Sequence, residues 1–141
     1  EQVMLEYLKT QSIVELDGDA IRLSEGSAEV LKFFARIVRD YLESYLVVLH
    51  SLGSWRRDRS SKKDIVQDVR KTGIRLFHTG DVRLMESLSL PNYNNALKML
   101  TSAGALREVA TGKKSPDLEI IDRGKLKDIL EKLNAYLYTL G

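Results

Sequence analysis

The segment "WRRDRSSKKD", Trp55 to Asp64, is the densest cluster of chemistry-bearing side chains in the sequence. Within residues 56–63, Arg56, Arg57, Arg59, Lys62 and Lys63 stand against Asp58 alone. Three readings compete. On nucleic acid, these cations would neutralise phosphates. On an anionic bilayer each would add about 1 kcal/mol of attraction, and Trp55 would suit the headgroup zone. On the plainest reading the cluster is a solvated loop. The formal net charge of the whole chain is only +2, so the basic character is local.

Catalytic chemistry has little to work with. His50 and His78 are the only histidines, and there is no cysteine. That removes thiolate metal sites, disulfides and cysteine nucleophiles, and the two histidines are too far apart for a compact ligand set. No serine elbow, phosphate-cradling glycine loop or H-E-x-x-H occurs. His50 lies beside Leu46 and Leu49 and reads as a partly buried helix-end residue; His78 reads as a loop residue. The carboxylates are numerous but unfocused, and Asp17 with Asp19 is a turn pair. No catalytic, cofactor-binding or metal-binding residue is therefore expected. In "LPNYNNALKML", Asn92, Tyr93, Asn94, Asn95 and Lys98 could read bases if the segment were a DNA-recognition helix. Only Lys98 is cationic, so Asn92 is expected as a cap or turn residue and the rest as a packing helix.

These residues need elements to hold them. Ile13–Leu16 and Ala20–Leu23 flank Asp17-Gly18-Asp19, a hairpin signal. Ser27 reads as the cap of a long helix to about Leu52, with Val30, Leu31, Phe34, Ile37, Val38, Tyr41, Leu42, Tyr45, Leu46, Val48 and Leu49 forming one wide apolar face. Gly53 ends it. A second helix covers Lys62–Leu76, with Ile65, Val66, Val69, Ile74 and Leu76 inward and Gly73 weakening its last turn. Val82–Leu88 is ambiguous. Pro91 sits in the first turn of a helix to about Ala103, with Ala96, Leu97 and Leu100 inward. Two short apolar runs around Thr111–Pro116 make a second hairpin. Asp122 opens a last helix with Leu126, Ile129, Leu130, Leu133 and Leu137 as its stripe. Nothing here spans a bilayer: the uncharged stretch Ser44 to Trp55 falls short of the roughly 20 apolar residues required.

The expected fold is mainly α with short β-hairpins (α+β), as winged-helix-like lobes around a long central helix. Its parts are residues 1–26, the end of a helix–hairpin unit; 27–53, the long helix; 54–61, the basic loop; and 62–141, a helical winged-helix-like lobe. The helix–hairpin unit recurs: Leu5, Leu8, Ser12 and Val14 match Leu97, Leu100, Gly104 and Leu106 at a constant offset. The sequence opens at Glu1 in mid-helix pattern, as a piece of a longer protein would.

The segment order "LDGDAIRLSEGS", "RDYLESYLVVLHSL", "SLSLPNYNNALKMLTSAGALRE" resembles the C-terminal portion of the bacterial and mitochondrial glycerol-3-phosphate acyltransferases and of the related dihydroxyacetone-phosphate acyltransferases. Tyr41-Leu42-Glu43-Ser44-Tyr45 is similar to an aromatic-rich segment of that family, and "NALKMLTSAGAL" to a late helix. The resemblance implies a parent that transfers an acyl group to the first hydroxyl of glycerol 3-phosphate, in phospholipid biosynthesis. The family's chemistry uses a His and an Asp separated by four residues, the His acting as base on the hydroxyl. Here the residue at that place is Trp55 after His50 and Arg83 after His78. The resemblance therefore implies a non-catalytic region without cofactor. Its partners would be an upstream acyltransferase domain of the same chain and an anionic membrane surface. It would attach peripherally on the cytoplasmic side, touching lipid through Trp55, Arg56, Arg57, Arg59, Lys62 and Lys63. The rival readings are a tandem winged-helix module on nucleic acid, disfavoured by the charge pattern, and a protein-interaction domain using the long apolar stripe.

Overall fold

The computed structural model describes residues 6, 14–17, 20–23 and 27–140. They fall into two compact units, Glu1–Val38 and Arg39–Gly141. Of the expected opening helix only Glu6 is described, as helical; the rest lies outside the described residues.

In the first unit, β1 (Val14–Asp17) pairs antiparallel with β2 (Ala20–Leu23), Asp17 opposite Ala20. This is the hairpin that Asp-Gly between two apolar runs predicts. Helix α1 (Ser27–Gly53) begins here. Ser27 is its first helical residue rather than a cap outside it. The apolar side chains of this stretch are not core. Val30, Phe33, Phe34, Ile37 and Val38 are exposed, Phe33 by 62%.

The second unit holds the rest. From Leu42 onward α1 is covered, and Leu46, Val47, Val48, Leu49 and Leu52 are each at most 3% exposed. Then come β3 (Arg59–Ser61), α2 (Lys62–Thr79), a 3-10 turn (Met85–Ser87), α3 (Leu90–Ser102), β4 (Leu106–Val109), β5 (Asp117–Ile120) and α4 (Arg123–Thr139). The strands form one antiparallel sheet in the order β3-β5-β4. The core draws on every helix of this unit: Ile65, Val69 and Leu76 from α2, Tyr93, Ala96, Leu97 and Leu100 from α3, and Leu126 and Leu133 from α4.

Local sequence explains the boundaries. Ser61 caps α2 by accepting the Asp64 N–H at 3.1 Å, and Asp122 caps α4 by accepting the Lys125 N–H at 2.9 Å. Gly80 ends α2 at φ +83°, a left-handed conformation that glycine adopts without strain.

Four expectations need correction. Residues 59–61 are not loop but strand β3, because their backbone completes the ladder of β5. Ile74 is 54% exposed, since it lies off the face that Ile65, Val69 and Leu76 share. Asn92 is no cap; it is buried within α3 and donates to the Ser44 hydroxyl at 3.2 Å. Gly73 does not merely weaken α2. A Cβ there would lie 2.5 Å from Tyr93 Oη and 2.9 Å from Leu88 Cδ2, so glycine permits the close approach of α2 and α3.

Candidate functional site

The basic cluster divides into two groups. On the arginine side most charge is matched. Arg59 holds Asp117 at 3.1 Å, Arg57 lies 3.8 Å from Asp68, and Asp58 is taken by Arg123 at 2.7 Å. The Arg57 guanidinium also sits 5.2 Å from the centre of the Trp55 ring. Trp55 itself is half-buried and packs against the core, with Nε1 buried and lacking an acceptor among the described residues. Arg56 is exposed.

The lysine side is different. Lys62 and Lys63 line a groove of about 820 Å³ together with Arg70, Lys113 and Lys114. None of these five is in an ion pair among the described residues. The register explains their meeting. Ser61 pairs with Asp117 across antiparallel strands, so the chain leaving β3 runs beside the chain entering β5. Lys62 and Lys63 thereby come to the Lys113–Pro116 hairpin tip. Asp117 also lines the groove, but its carboxylate is held by Arg59. The sequence did carry a signal for the missed lysines, two adjacent cations at a hairpin tip, but it could not show what they face.

The buried polar groups lie elsewhere and serve packing. Glu43, 1% exposed, accepts the backbone N–H groups of Arg83 and Leu84 at 3.1 and 3.0 Å and the Ser87 hydroxyl at 2.9 Å. Arg39 adds an ion pair at 3.2 Å. Next to it, the Ser44 hydroxyl donates to the Ser87 carbonyl at 2.8 Å. Together these tie the connector between α2 and α3 to α1. They satisfy a carboxylate whose burial alone would cost several kcal/mol. Burial raises the Asp40 carboxyl above its ordinary range, with the charge of Glu86 adding to the effect.

The two histidines sit in different surroundings. Burial lowers the His50 pKa, and the Asp81 charge opposes that less strongly. Asp81 is engaged by the Thr79 hydroxyl instead of His50. His78 is not in a loop but in the last turn of α2, which runs on past Leu76; it is exposed and lies edge-on to Phe77, ring centres 6.2 Å apart. Among the described residues no cluster of His, Asp and Glu could hold a metal ion. No helix of the described residues is long and apolar enough to cross a membrane.

No curated protein matches the chain. A family model does: residues 2–109 match the glycerol-3-phosphate acyltransferase C-terminal region. The match runs from the opening residues to the last residue of β4 and takes in the Glu43 staple, α2 and α3. With well over half its length covered, the chain belongs to the family of glycerol-3-phosphate acyltransferase C-terminal regions.

Proposed function

We propose that this chain is the non-catalytic C-terminal region of a membrane-associated glycerol-3-phosphate acyltransferase. Acyl transfer to glycerol 3-phosphate, a step of phospholipid biosynthesis, is the work of an acyltransferase domain upstream in the same protein. The region supports that domain and seats it peripherally on the cytoplasmic face of a bilayer. The observation that carries this reading, beside the family, is the state of the two histidines. One is half-buried with a lowered pKa, the other is exposed against a phenylalanine, and among the described residues no carboxylate is hydrogen-bonded to either. A base needs a partner that orients it and a pKa near the working pH. Incubating the chain with acyl-CoA and glycerol 3-phosphate is expected to give no lysophosphatidate; turnover above a protein-free blank overturns the reading. For the membrane contact, replacing Arg56, Arg57, Arg59, Lys62 and Lys63 with serine is expected to reduce sedimentation with anionic vesicles. Equal sedimentation of variant and parent would leave the cluster as a solvated surface.

One observation favours a second reading. The element order helix, strand, two helices, then a hairpin, with β5 between β3 and β4, is compatible with a winged-helix lobe. Such a lobe could bind duplex DNA through α3 and the hairpin. Against it, Asn92 and Tyr93 of α3 are buried, which leaves Asn95 and Lys98 as its exposed polar side chains in the middle of the helix. A salt titration with duplex DNA separates the readings, because phosphate contacts impose a steep loss of affinity with ionic strength. Absence of binding at low salt removes the second reading.

A further inference from the structure

We propose that the groove between α2, the start of α3 and the β4–β5 hairpin tip docks the phosphate headgroup of an anionic phospholipid at a bilayer surface. The proposal rests on the membrane reading above and gives it a site. Its first support is convergence. Lys62, Lys63 and Arg70 of α2 meet Lys113 and Lys114 of the β4–β5 hairpin, far away in the chain, at one groove, and no carboxylate among the described residues pairs with them. Like charges gathered this way repel one another, and a bound anion relieves that repulsion. Its second support is the position of Lys62 and Lys63 in the first turn of α2. The positive end of the helix dipole opposes cations there, so two lysines are held against the local field. An anion in the groove reverses the sign of that interaction.

The third support chooses the class of anion. Val66 and Leu90 line the same groove, and Leu90 is 37% exposed. Cations beside exposed apolar surface suit an amphiphile, with phosphate against the lysines and the glyceryl end of the lipid against Val66 and Leu90. Inorganic phosphate would leave the apolar part unused. A duplex would require cations along the outward face of α3, and the middle of that helix offers Lys98 alone.

The test is partition of the chain onto vesicles of equal parts phosphatidylcholine and phosphatidylglycerol, followed by sedimentation. The groove variant is Lys113→Ser with Lys114→Ser. The charge-matched control is Lys127→Ser with Lys132→Ser on α4. All four lysines are exposed, so both variants should melt like the parent in a circular-dichroism scan. Each cation near an anionic surface is worth about five-fold in partition, so the groove variant should lose about 25-fold. The control should lose no more than about three-fold, because charges beyond a screening length from the lipid are largely masked. Equal loss in both variants, or none in the groove variant, overturns the groove while leaving membrane attachment standing. No sedimentation of the parent overturns both. Monomeric dihexanoylphosphatidylglycerol should displace the chain from vesicles at concentrations where inorganic phosphate does not. Equal displacement by the two would reduce the groove to a phosphate site and refute the lipid assignment. Tighter binding to duplex DNA than to vesicles, lost in the groove variant, would refute it in favour of nucleic acid.

Discussion

The two halves of α1 carry the same pattern and meet different fates. Val30, Phe33, Phe34, Ile37 and Val38 recur at helical spacing and stay exposed. Leu42, Tyr45, Leu46, Leu49 and Leu52 recur at similar spacing and pack into the core, the last three almost wholly buried. Periodicity states that a helix has an apolar face; it does not state what covers the face. A second contrast runs along the same helix. The buried half contains Glu43 and Ser44, the most polar pair in the core, and both are fully engaged with the connector around Ser87. Burial there is tied to a particular hydrogen-bonded neighbour as well as to apolar contact.

Breaking the polar staple should have the largest effect. Glu43→Ala removes the acceptor for two backbone N–H groups and the Ser87 hydroxyl and leaves the Arg39 guanidinium with the Leu137 carbonyl but without its carboxylate. A loss of about 3–5 kcal/mol in urea unfolding is expected. A loss under about 1 kcal/mol would mean that the connector finds other partners.

The contrast between the halves is sharpest when one apolar residue is truncated in each. Leu49→Ala, in the buried half, should cost about 2–5 kcal/mol. Phe34→Ala, in the exposed half, should stay within about 0.5 kcal/mol of the parent. Comparable losses at both positions would show that the exposed face is covered in solution, and concentration-dependent melting would point to a second copy.

Gly73→Ala tests how the buried half is packed. The added Cβ would meet Tyr93 Oη, Leu88 Cδ2 and, at 3.2 Å, Val47 Cγ1. A loss of about 1–3 kcal/mol is expected, against the small gain that alanine usually brings inside a helix. An unchanged or raised melting temperature would show that α2 and α3 can separate at no cost.

The smallest effect is a pH dependence at the end of the buried half. Burial lowers the folded-state pKa of His50 below its ordinary 6.5. The unfolded chain therefore binds the proton first as pH falls. Stability from this group is fully present above about 6.5 and declines below it. His50→Gln should flatten that decline in melts between about pH 7 and pH 5. An unchanged slope would show that His50 charges as freely folded as unfolded.

Much of the fold was legible in local signals. Asp17 and Gly18 between apolar runs marked the first hairpin, Asp122 marked the start of α4, and Pro91 fell in the first turn of α3 as expected. These rest on interactions within a few residues, which sequence displays directly. Asn92 was misread because polar residues near a helix start usually cap it, whereas here the partner is Ser44, far away in the chain. Gly73 was misread because its role concerns Tyr93 and Leu88 across a helix contact. The basic cluster was found, but its division was not. Arg57 and Arg59 face carboxylates on other elements, while Lys62 and Lys63 face more lysine.

By itself the sequence determined where α3 and α4 begin and where the two hairpins lie, that no histidine is spaced with aspartate as the acyltransferase chemistry needs, and which family the segment order resembles. Those are matters of neighbouring residues, turn chemistry and spacing along the chain. Only the tertiary structure decided which half of α1 is core, where Glu43 finds its donors, and that Lys62 and Lys63 meet Lys113 and Lys114. Each depends on strand register and helix contact between segments far apart in sequence, set by which apolar faces bury one another together rather than by any one segment's pattern.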